Sequence, residues 1–256
     1  MKEPCDGSVI KLHRLATYLQ GTRDYGVWLP RSGEMDKLII HSDTDWANCK
    51  KTRKSCACAM FMVGNCLIYS YARSLQMLCL SSGEAEFNGG VAACSEGIFT
   101  KEIFGFVGSP LKMEVYLDSS AARGVFQRQG VGRIRHLEVK SLWVQEALQR
   151  KLFSLHAVPS QENTADFGTK ALAVKRFVEL RQKIGIGSHE MVEKQAMIQD
   201  KENYKSVTAV SAVGNGMTRH ALMVALLTLL QSLRLSPMRR RTTGSSLTWA
   251  WAFVWC

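Results

Sequence analysis

The chain has 256 residues, 46% of them hydrophobic and 21% charged. That is an ordinary globular balance, with room for a sizeable core in one or two domains, and it excludes a low-complexity polymer. Thirty-three Lys and Arg against 22 Asp and Glu leave a net charge of +11, which points to a polyanionic partner, either nucleic acid or an anionic membrane surface. Eight cysteines form no C-x-x-C pair and no Cys/His group at zinc spacing, so neither a disulfide framework nor a zinc module is expected. Free cysteines in apolar runs act as small buried hydrophobes, consistent with a reducing, intracellular compartment (cytoplasm or nucleus). The N-terminus has no apolar signal region.

Residues 9–27 read as an amphipathic helix, with Leu12, Leu15, Ala16 and Leu19 at helical spacing and Gly21 as a stop. Residues 37–42 read as a short buried strand ending at Asp43. Residues 55–63 and 65–72 read as two further strands joined through Gly64-Asn65, a hairpin signal. Ser81 and Glu84 then fit a capping box that opens a long helix. Phe87, Val91, Cys94 and Ile98 continue that helix, and close packing is the expected reason for Gly89, Gly90 and Gly97 within it.

Residues 112–117 alternate with period two, and a short helix is expected over 119–130. A longer helix is expected over 136–150, a fifth strand over 152–158 and a final helix over 163–183. Three consecutive strands followed by strand–helix alternation imply a mixed sheet with helices on its faces. From residue 185 the chain turns polar and Gly/Ser-interrupted and reads as a linker, followed by an apolar run over 221–230 and a basic, aromatic end. Ten apolar residues are too few for a membrane span, which needs about 20, so a membrane partner is not expected and a poorly ordered tail is.

Four carboxylates fall at element ends, where α/β sheets place functional groups. Asp43 ends the first strand, Glu86 lies in the first turns of the long helix, Asp118 ends the fourth strand and Asp166 opens the last helix. Singly, each suits a turn or a helix cap. Converging, they would repel one another unless hard divalent cations relieved the charge, and oxygen ligands suit Mg²⁺ or Mn²⁺. Two such ions can activate water and stabilise a leaving oxygen in phosphodiester cleavage.

The blocks SDTDWAN, LSSGEAEF, VYLDSSAARG, RIRHLEVKSLWVQEAL and VPSQENTADFGTKAL, in that order, resemble the ribonuclease H domain of copia-type retrotransposon Pol polyproteins. The preceding LHRLATYLQGTRDYGVWL resembles the end of the reverse transcriptase and its connection to that domain. The resemblance implies a ribonuclease H-like α/β fold, with a five-stranded mixed sheet whose first three strands are antiparallel. It also implies metal-dependent hydrolysis of the RNA strand in RNA–DNA hybrids, with two Mg²⁺ or Mn²⁺ ions. By position in the motifs, Asp43, Glu86, Asp118 and Asp166 carry the catalytic and metal-ligand roles. His136 fits a substrate-contacting place, and Arg123, Arg133, Arg135 and Lys140 fall in a basic strip suited to the hybrid's phosphates.

Three departures stand out. Leu75 replaces a Gln, Phe167-Gly168 replaces two aliphatic residues, and residues 159–164 lack the His that some cellular relatives carry there.

The expected organisation is a connection helix from a reverse transcriptase region over 1–34, a ribonuclease H-like domain over 35–184 and an unassigned linker and tail over 185–256. The parent polyprotein's reverse transcriptase region is the expected protein partner. A catalytically inactive, nucleic-acid-binding remnant of the same fold is the alternative. An integrase-like enzyme, which places its essential Glu on a late helix, is disfavoured because Glu86 precedes the fourth strand.

Overall fold

Five strands gather the apolar runs of the sequence into one mixed sheet. The structure, a computed structural model, describes residues 6–29, 34–130, 132, 141–188, 190 and 191. In chain order these form α1 (Asp6–Gly21), β1 (Tyr25–Val27), β2 (Lys37–Asp45), β3 (Cys56–Val63), β4 (Cys66–Ser74), α2 (Ser82–Phe106) and β5 (Lys112–Leu117). They continue with α3 (Ser120–Gln127), α4 (Trp143–Gln149), β6 (Ser154–Ala157), α5 (Asp166–Thr169), α6 (Val174–Lys183) and β7 (Ile186–Ser188). The sheet order is β4-β3-β2-β5-β6. β2, β3 and β4 run antiparallel, while β5 and β6 pair in parallel. This is the ribonuclease H-like α/β arrangement that the resemblance implies.

Period-two alternation decides which side chains meet which layer. Leu38 and Ile40 of β2 and Met113, Val115 and Leu117 of β5 are buried on the face that carries α2. The opposite face buries Cys58, Met60 and Leu67 with Ala165 and Ile184. Gly64, at φ +58°, makes the tight turn between β3 and β4. α2 is capped by Ser81, whose Oγ accepts from the Glu84 N–H at 3.2 Å, while the Glu84 carboxylate accepts from the N–H of Leu80, the residue before the cap, at 2.6 Å. Its glycines sit at close approaches. A Cβ at Gly97 would run into Ile40 and Met113, and one at Gly90 would lie 3.1 Å from the Phe126 ring. Leu75 is buried beside Ala57, Cys79 and Ala85, so at that position the chain fills its core.

The elements depart from the sequence reading at several points, and β2 does not end at Asp43 as expected but runs on to Asp45, still paired with β3. The first helix stops at Gly21, and residues 25–27 form β1 instead of helix. β1 pairs antiparallel with β7, so the expected linker begins with a strand. The Arg181 guanidinium lies 4.6 Å over the Tyr25 ring and donates to its hydroxyl at 3.0 Å, tying α6 to β1. The single helix expected over 163–183 is two, because Lys170 is extended at φ −117°, ψ 148°. Gly168 and β-branched Thr169 are weak helix formers, and the chain leaves α5 after one turn. Of the helix expected over 136–150, residues 136–140 lie outside the described residues, as does the tail from 192. Among the described residues no helix is long and apolar enough to cross a membrane, and Cys58, Cys79 and Cys94 carry free thiols.

Gly168 is set by packing: a Cβ there would lie 2.5 Å from Cys58 Sγ and 3.3 Å from the Ala72 Cβ. Gly168→Ala is expected to push α5 off the sheet and cost about 1–3 kcal/mol of stability, measured by denaturant unfolding. Unchanged stability would mean that α5 adjusts freely.

Candidate metal centre

Parallel register brings the first two carboxylates together. The last paired residues of β2 and β5 are Ser42 and Leu117, and the next residue on each strand is Asp43 and Asp118. Glu86 arrives from α2. One oxygen from each of Asp43, Glu86 and Asp118 lies within 4.8 Å of the others. Two like charges about 4 Å apart repel by about 4 kcal/mol at a near-surface dielectric, and the sheet holds the two strands too firmly for them to separate.

Protonation and hydrogen bonds absorb this repulsion. Burial first, then the charges of Asp43 and Asp118, push the Glu86 carboxyl up to about 9. Asp43 is fully buried, and burial raises its pKa against the opposing pull of Thr169 and Lys170. The Thr169 hydroxyl donates to Asp43 Oδ2, and Lys170 Nζ lies 3.2 Å from Oδ1. Ser160 Oγ donates to Asp118 Oδ2 at 3.0 Å. Asp118 Oδ1 and Glu86 Oε2 are buried with no hydrogen-bond partner among the described residues. A donor set made only of carboxylates, with two orphaned oxygens, fits a hard divalent cation.

Asp166 is also buried, but it is not one of the three converging carboxylates. It pairs with Lys170 at 2.5 Å and lies 3.8 Å from the Arg176 guanidinium. Lys170 therefore links the fourth carboxylate to Asp43. Burial works against the Lys170 ammonium, but the bond to Asp166 and the charges of Asp43 and Asp166 outweigh it and raise its pKa.

Of the expected nucleic-acid contacts, Arg133, Arg135, His136 and Lys140 lie outside the described residues. Arg123 is described: its guanidinium donates to the carbonyls of Leu117 at 2.7 Å and Asp118 at 2.9 Å, pinning the turn that follows β5. Ser160, Thr169 and Lys170 escaped the sequence reading. Only Lys170 carried a usable signal, its i,i+4 spacing from Asp166. Phe167, the other departure in that block, stacks on Phe177 with ring centroids 5.0 Å apart.

No protein-family model matches the chain. Over 174 residues it is 26% identical to the retrovirus-related Pol polyprotein from transposon TNT 1-94 of Nicotiana tabacum, covering 67% of this chain and 13% of that protein. Over 193 residues it is 25% identical to the corresponding polyprotein from transposon RE1 of Arabidopsis thaliana, covering 73% of this chain and again 13% of the relative. A stretch of 97 residues is 30% identical to the Secreted RxLR effector protein 161 of Plasmopara viticola, covering 38% of this chain and 68% of that protein. Among solved structures, the N-terminal RNase H domain of a Mycobacterium tuberculosis protein is similar at 18% identity and a TM-score of 0.36, over 57% of this chain and 96% of that one. The LC11 RNase H in complex with RNA/DNA hybrid is similar at 16% identity and a TM-score of 0.35, over 50% and 88%.

Glu86 makes stability depend on pH in protein stripped of divalent cations. Its folded pKa of about 9 lies above the ordinary 4.5, so its contribution is complete below pH 4.5 and is lost as pH rises toward 9. Glu86→Gln is expected to flatten that decline and to be more stable than the parent by about 1–3 kcal/mol at pH 8. Thermal unfolding in a chelator across this range checks it, and identical pH slopes for the two proteins would place the proton elsewhere.

Proposed function

Because the chain is a homologue of the retrovirus-related Pol polyproteins from transposons and spans 13% of their length, we propose that it is a divalent-metal-dependent nuclease that hydrolyses the RNA strand of RNA–DNA hybrids. The observation that carries this reading is the convergence of Asp43, Glu86 and Asp118 at the end of two parallel strands, with two buried oxygens unpartnered. Asp43, Glu86 and Asp118 would hold Mg²⁺ or Mn²⁺, and Asp166 stands beside them through Lys170.

When bound, the metal supplies charge neutralisation for in-line displacement at a phosphodiester. The chain's own groups do the rest. β2 and β5 fix the spacing of Asp43 and Asp118, and α2 brings Glu86 to them. Thr169 and Ser160 orient one oxygen each on Asp43 and Asp118, which leaves Asp118 Oδ1 free to face a ligand. The loop over 159–164 supplies Ser160 to Asp118 in place of an imidazole, so proton transfer falls to solvent.

The net charge of +11 supports a nucleic-acid partner held through its phosphates. The basic strip containing Arg123, Arg133, Arg135, His136 and Lys140 belongs to this proposal. So does the parent polyprotein's reverse transcriptase region as protein partner: α1 buries none of its residues and exposes Val9, Ile10 and Leu12, a surface suited to packing. The free cysteines support a reducing, intracellular setting.

Incubating the full chain with a labelled RNA–DNA hybrid and Mg²⁺ or Mn²⁺ tests the reading. Metal-dependent loss of the RNA strand is expected, slowed on the order of a hundredfold or more in Asp118→Asn. Folded protein that binds the hybrid and cuts it with neither metal would instead be the catalytically inactive remnant.

A further inference from the structure

The Lys170 ammonium contacts two carboxylates at once, Asp43 Oδ1 at 3.2 Å and Asp166 Oδ1 at 2.5 Å. Asp43 is thereby shared. It belongs both to the cluster with Glu86 and Asp118 and to the pair with Lys170. The backbone that carries Lys170 is fixed on both counts that matter: Gly168 sits against Cys58, and the Thr169 hydroxyl is bonded to Asp43. The lysine side chain keeps 41% exposure, against 0% for Asp43 and 10% for Asp166. Its ammonium is therefore anchored at the site and still has a path out to water. Lysine suits such a place, being a compact charge on a flexible stem.

The charges divide accordingly. Asp43, Glu86 and Asp118 present converging oxygens with room for one divalent ion. The space between Asp43 and Asp166 already holds a positive charge. A second divalent ion there would sit a few ångströms from the ammonium, a repulsion of several kcal/mol at a near-surface dielectric.

We propose that the Lys170 ammonium holds the place of a second cation. The free protein then takes one divalent ion at Asp43, Glu86 and Asp118, and a second only by displacing Lys170. This rests on the metal-centre reading given above and narrows it, making the two-ion state conditional on a lysine leaving.

Titration of the full chain with Mn²⁺ in the absence of nucleic acid, following free Mn²⁺ by electron paramagnetic resonance, tests it. The parent is expected to bind one ion and to bind a second at least about tenfold more weakly. Lys170→Met is expected to raise the affinity for the second ion by about tenfold or more, while Lys170→Arg retains the parent's behaviour. In the parent, the ¹⁵N-labelled Lys170 side-chain resonance should move to the position of a lysine released into solvent during the second step of a Mg²⁺ titration and not the first, a readout that needs no variant. Two ions of equal affinity in the parent, or an unchanged second site in Lys170→Met, would overturn the proposal and leave the nuclease reading standing. A parent that binds no ion would overturn both.

Discussion

Two parallel strands whose pairing stops in register just before Asp43 and Asp118 set the terms for the rest of this molecule. Ladder hydrogen bonds up to Ser42 and Leu117 fix the positions of Asp43 and Asp118, and the strands cannot part without breaking the sheet. The surrounding chain is organised around that crowding. Burial and the neighbouring carboxylates raise the Glu86 pKa, Ser160 and Thr169 each donate to one oxygen, and Lys170 brings a counter-charge from the following loop. Removing one partner of a buried charge leaves the other uncompensated, so these groups form a single electrostatic unit even though they come from five separate stretches of sequence.

The precision of that unit comes from apolar contacts on both sides of the sheet. α2 lies close against β2 and β5, where a Cβ at Gly89 would meet Thr44 and one at Gly97 would meet Ile40 and Met113, and this brings Glu86 to the strand ends. On the other face, α5 lies against β3 through Gly168 and Cys58, and this brings Thr169 and Lys170 to Asp43. Close-packed interiors transmit small displacements, so the glycines and the carboxylates are parts of one geometry. What at first reads as a weakness in both helices is the condition for their positions.

Most of the central architecture was legible from the chain itself. Alternating apolar residues, the Gly64-Asn65 turn and the capping pattern at Ser81 and Glu84 are local signals, and local hydrogen bonding realises them. The three converging carboxylates were legible because each sits near an element end, although β2 runs two residues past Asp43. The break between α5 and α6 was not, because tertiary contacts at Gly168 and Thr169 override a continuous helical pattern. β1 and β7 were not, because three-residue strands leave almost no periodicity to read. The sharing of Asp43 between a metal-type cluster and Lys170 depends on side-chain directions at the end of a one-turn helix, which spacing along the sequence does not determine.

The β1–β7 pairing joins the two extremes of the described fold. A two-stranded ribbon of this length is marginal alone, and closing so long a stretch of chain is entropically costly until the intervening elements have packed. The ribbon is thus a late-forming clasp, completed once α6 and Arg181 are in place beside Tyr25. A cleavage after the last helix would remove β7 and leave β1 as an open edge, a surface prone to pairing with other chains. The paired structure therefore continues past α6 through Ser188, and β7 covers the edge that β1 would otherwise present to its neighbours.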